Sequence, residues 1–131
     1  MLSNAPSNLF HSPIYQKAME IIILSRSIST YLNQDLNGLL PNGAEDDHIY
    51  FSGDIVQQSV SLAPEIEKAE QERYTEKKHK HIASIKRLTS LLNKNVKRLE
   101  NCNSNGKDYL PLLRSELQKF KKLQHTWMLT L

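Results

Sequence analysis

Basic side chains spaced seven apart are the residues of this chain best suited to chemistry, and that chemistry is the binding of polyanions. Arg73, Lys80, Arg87 and Lys94 form such a row. On a helix they share one face, with successive members about 10.5 Å apart at 1.5 Å of rise per residue. Lys77, Lys97 and Arg98 flank the row, and Lys119, Lys121 and Lys122 add charge from a later segment. A contiguous cationic face attracts a phosphate backbone and gains from release of its counterions. Aromatic residues hardly interleave, since Tyr74 and Tyr109 stand only at the ends. Such a face reads shape and charge more than bases, so binding is expected to be non-sequence-specific. A solvated lysine face, or docking on an acidic surface of another protein, fits the same residues; charge alone does not choose.

Other constellations carry less. Glu45-Asp-Asp-His48 and Glu76-Lys-Lys-His79 have the Glu-x-x-His spacing of di-iron bundles. Each pair opens its own helix, and consecutive antiparallel helices start at opposite ends, so the pairs should not converge. His79 and His81 are two apart and diverge on a helix. Neither a metal nor a cofactor is expected. Cys102, three residues after Leu99, has no histidine partner close in sequence and reads as a structural thiol. No glycine-rich phosphate loop, Ser-His-Asp order or paired catalytic carboxylates stand out. The expectation is a binding protein and not an enzyme.

These residues need helices to position them, and the totals permit that. The 131 residues suit one domain with a real core, and four glycines and five prolines are too few for an all-β chain. A single cysteine excludes an internal disulfide and suits a reducing compartment. The opening MLSNAPSNLFHSP lacks the basic-then-apolar order of a signal peptide, and the unbroken apolar run Ile21 to Leu24 is far short of a membrane span. A cytoplasmic protein without membrane contact is expected. Charge is polarised along the chain. Residues 1–72 hold three Lys/Arg against ten Asp/Glu, a net of −7, whereas residues 73–131 hold fourteen against four, a net of +10.

Hydrophobic spacing predicts four helices. Residues 1–12 show no periodicity and read as a mobile tail. Ser12-Pro13 is a helix-start signal. Ile14, Ala18, Ile21, Ser25, Ile28 and Leu32 then mark a first helix over about 13–33. Asn37-Gly38, Pro41 and Asn42-Gly43 break it. Asp46 or Asp47 should cap a second helix carrying Ile49, Ile55, Val56, Val60, Leu62, Ala63, Ile66 and Ala69. Pro64 inside it predicts a kink or break near residues 60–64. With Thr75 as cap, Ile82, Ile85, Thr89, Leu92, Val96 and Leu99 form a third seam, interrupted once, at Thr89, by a polar residue. Asn-Cys-Asn-Ser-Asn-Gly stops that helix. Asp108 should cap a fourth helix, with Leu110, Leu113, Leu117, Phe120, Gln124, Trp127 and Leu131 on its seam. The fold expected over 13–131 is all-α, an antiparallel up-down-up-down four-helix bundle. Met19, Ile23, Phe51, Leu88, Leu91, Leu112 and Met128 lie off the seams. They suggest either a self-association surface or ordinary scattered exposure.

The second helix, SGDIVQQSVSLAPEIEKAE, resembles that of the bacterial four-helix-bundle proteins encoded in intervening sequences of large-subunit ribosomal RNA genes. Ile55, Gln57-Gln58, Val60-Ser61-Leu62 and Ile66 follow the family pattern. Pro64 is displaced by one, and Glu65, Glu67, Lys68 and Ala69 replace its Asn, Ala, Glu and Gly. Helix order and lengths are similar across 13–131. The relatives of that family include accessory variability proteins of diversity-generating retroelements. The resemblance implies a barrel-shaped homo-oligomer, a pentamer, with a basic surface for RNA or DNA and a reverse transcriptase as partner.

Overall fold

The computed structural model describes residues 12–131. Its elements are α1 (Pro13–Leu36), α2 (His48–Gln71), α3 (Thr75–Leu99), a short 3-10 helix (Asn105–Tyr109) and α4 (Leu110–Met128). Each helix packs on the next, and α4 closes on α1. The cross-contacts run in opposite senses along the chain. Ser25 meets Ser59 while Ser29 meets Ser52; Gln58 meets Asn95 while Glu65 meets His81; Lys17 meets Glu116 while Asp35 meets Ser104. This is the expected antiparallel up-down-up-down four-helix bundle. No helix among the described residues is long and apolar enough to cross a membrane.

The core is the meeting of the predicted seams. Ile14, Ala18, Ile21, Ile28 and Leu32 of α1 are buried with Ile55, Leu62, Ile66 and Ala69 of α2. Ile82, Ile85, Leu92, Val96 and Leu99 of α3 close on Leu110, Leu113, Leu117, Phe120 and Trp127 of α4. Each large aliphatic side chain so buried contributes about 1.5–3 kcal/mol. Trp127 is held further by its indole N–H, which donates to Glu70 Oε2 at 3.0 Å. Leu131, expected on the fourth seam, lies beyond the helix and is exposed. Polar residues on the α1–α2 seam satisfy one another. Ser25 and Ser59 hydroxyls are 2.8 Å apart, Ser29 and Ser52 hydroxyls 2.7 Å, and Ser59 also donates to the Ile55 carbonyl at 2.6 Å.

The helix ends follow local chemistry, with several departures from expectation. Ser12 Oγ accepts from the Tyr15 amide at 3.4 Å, with Pro13 in the first turn. The rest of the expected N-terminal tail lies outside the described residues. α1 runs one turn past residue 33 and stops at Asn37. Asp46 accepts from the His48 amide at 3.0 Å, while Asp47 takes the cap position without a side-chain bond. Thr75 does not cap α3. It is already helical, and Tyr74 holds the cap position with no side-chain bond; in the connection before it Glu72 Oε1 accepts from the amides of Arg73 and Tyr74. Asp108 does not cap α4 because the chain coils into the 3-10 helix first. There Ser104 Oγ accepts from the Gly106 amide at 3.0 Å. Nor does Pro64 break α2, which is helical from His48 to Gln71. Pro64 and Val60 are both exposed, so the carbonyl that proline leaves unpaired faces water.

Candidate nucleic-acid interface

All ten basic residues singled out from the sequence are exposed. Lys80, Arg87 and Lys94 lie opposite the buried seam of α3, as a repeat of seven on a helix dictates. Among the described residues none of these three takes an ion pair with a carboxylate. Glu76, in the first turn, is the one acid within α3. The outer face of this helix therefore carries unneutralised positive charge.

The remaining predicted residues divide. Arg73 is not on the helix; it sits in the α2–α3 connection, so helical spacing does not align it with the row. Lys77 leans over the Tyr74 ring at 5.4 Å from its centre. Arg98 is turned toward α2, with its guanidinium 5.0 Å from the Phe51 ring centre and Nη1 3.3 Å from Asn95 Oδ1. Lys97 is an exposed residue in the last turn of α3. Lys119 is paired with Glu116 at 3.0 Å, and Glu116 also holds Lys17 of α1 at 3.0 Å. The sequence grouped Lys119 with Lys121 and Lys122, but two residues of helix separate Lys119 from Lys121 by about 200°. One turns to α1 and the other to α3.

Between α3 and α4 lies a groove that the sequence reading did not identify. The two helices touch less than any other adjacent pair of the bundle. One lobe, about 360 Å³, is lined by Lys86, Thr89, Ser90, Lys121, Gln124, His125 and Met128. A second, about 330 Å³, is lined by His79, Ile82, Ala83, Lys86 and Met128. Lys86 was not among the predicted residues. The signal was available in the two polar interruptions of the apolar seams, Thr89 and Gln124, which face each other here. Larger apolar side chains at those positions would have closed the gap.

Apart from His79, the other candidate groups lie outside this groove. Glu45–His48 and Glu76–His79 begin α2 and α3 at opposite ends of the bundle. His81 Nδ1 stands 2.8 Å from Glu65 Oε2, and His48 Nδ1 2.8 Å from Asp46 Oδ1. The backbone amide of His48, followed by its ring, holds the Asp46 carboxyl below the usual carboxylate range. Cys102 is buried, and that burial pushes its thiol up, away from the reactive thiolate. No family model matches the chain, nor does any curated protein or solved structure.

Proposed function

We propose that this protein is a non-enzymatic helical bundle that binds the phosphate backbone of RNA or DNA through the outer face of α3. The observation that carries the reading is the exposure of Lys80, Arg87 and Lys94 without carboxylate partners among the described residues. Lys97 extends that face toward the end of the helix, Lys121 stands across the groove, and Lys122 is the exposed residue next to it. Arg98 and Lys119 contribute less, because their charged groups are already engaged.

Reversing the row tests this directly. The triple variant Lys80→Glu, Arg87→Glu, Lys94→Glu is expected to bind RNA or duplex DNA at least tenfold more weakly. Its dependence of log K on log salt should flatten by about three, near one unit per lost phosphate contact. Unchanged affinity and slope would remove the proposed interface.

Self-association belongs to the same reading, supported by Ile23 at 65% exposure and Leu112 at 53%. The pentamer and the reverse transcriptase partner rest on the family resemblance alone. An assembly bundle with no nucleic-acid ligand is the second reading. It is favoured if the triple variant dissociates an oligomer.

A further inference from the structure

The groove between α3 and α4 has the chemistry of a site for one nucleotide. Lys86 and Lys121 stand on its two walls, Ser90 and His125 supply further polar groups, and no carboxylate lines either lobe. Positive charge here is thus uncompensated within the groove. Gln124 is the second observation. It is buried to 6% exposure, yet among the described residues its side-chain amide makes no hydrogen bond. The residue is packed into the wall while its amide is still reached by solvent, so the groove is where water or a ligand supplies the partner. The Thr89 hydroxyl donates to the Ile85 carbonyl at 2.8 Å and makes no bond to Gln124.

The two lobes differ in character. The first holds both lysines with Ser90, Gln124 and His125. The second is largely apolar, formed by Ile82, Ala83 and Met128 with His79 at its edge. Lys86 and Met128 belong to both, so the lobes adjoin. A ligand that fits has an anionic head and a flat, weakly polar body. We infer that the α3–α4 groove binds a nucleotide, with its phosphate between Lys86 and Lys121 and its base over Ile82, Ala83 and Met128. The ligand class rests on the polyanion reading above, whereas the geometry is the groove's own. The nucleotide could be free, or one unit of a bound strand.

Titrations of the full chain at physiological salt, followed by the Met128 methyl resonance, separate these cases. Adenosine 5′-monophosphate should shift Met128 and bind more tightly than inorganic phosphate or adenosine alone. Lys86→Gln with Lys121→Gln should weaken it about tenfold, while Lys107→Gln, at the far end of the molecule, leaves it unchanged. Duplex affinity lost in the Lys80, Arg87, Lys94 reversal, with adenosine 5′-monophosphate binding still dependent on Lys86 and Lys121, distinguishes failure of the outer face from failure of the groove. If only a single-stranded oligonucleotide shifts Met128, and the double glutamine variant abolishes that shift, the site serves a strand and the inference stands. Met128 unmoved by both ligands overturns it, as does equal affinity in the double glutamine variant.

Discussion

Glu116 shows how far a single side chain decides what its neighbours do. Hydrogen bonds from Lys119 and then Lys17 hold its carboxyl below the ordinary glutamate range. A carboxyl depressed in the folded state adds stability that is fully present above its unfolded pKa and is lost as pH falls through the folded one. Its side chain is 16% exposed, and both pairings are partly screened. Glu116→Gln is therefore expected to lower the unfolding free energy by about 1 kcal/mol at pH 7. The gap should close at an acid pH below the folded pKa of Glu116. Urea denaturation at the two pH values measures it, and a pH-independent gap would contradict the assignment. The same residue explains why the pairing of Lys119 could not be read from the sequence. Spacing indicates which way a side chain leaves its helix, but not which acid of another helix waits there. Lys80, Arg87 and Lys94 were legible because they lie opposite a continuous seam. Lys86 was not, because a position beside a seam is covered or open according to the neighbour's bulk.

At the level of elements, periodicity carried nearly everything. The seams of α1 and α3 are buried at each position that the spacing marks, including the polar Ser25 and Thr89. The ends were harder to read. A cap is set by backbone path as well as by residue type, so Thr75 falls inside α3, whose cap position at Tyr74 carries no side-chain bond, and a 3-10 helix intervenes before α4. Gly106 explains that last detail. A Cβ there would stand 2.7 Å from the Tyr31 ring and 3.1 Å from Leu32 Cδ2, so only glycine lets this turn lie against α1. Pro64 marks the opposite situation, a residue tolerated and not required. Alanine there restores an amide to bond the Val60 carbonyl on an exposed face. Pro64→Ala should stabilise the fold by about 1–3 kcal/mol, drawn from the interior-proline penalty. Chemical denaturation checks the sign; a loss of stability would mean that the proline shapes α2 for its neighbours.

For the whole molecule, the division of charge along the sequence becomes a division in space. The acidic excess of the front half lies in α2 and in the α1–α2 connection, α1 itself being balanced, and the basic back half forms α3 and α4. That arrangement gives two sides of opposite sign, which suits orientation toward a polyanion. The off-seam apolar residues divide as well. Phe51, Leu88 and Met128 pack against the core, whereas Met19, Ile23, Leu91 and Leu112 remain exposed. If the exposed group mediates self-association, Ile23→Glu with Leu112→Glu should reduce the solution mass to that of one chain, about 15.1 kDa. Light scattering of the parent and variant measures this, and a parent already of that mass would rule the oligomer out.

Four serines key α1 to α2. A slip of one turn, about 5.4 Å, would leave two of these four buried hydroxyls without a mate. Those two helices are therefore held in register, and the joint of the bundle with the least packing to resist a shift is the opposite one, between α3 and α4.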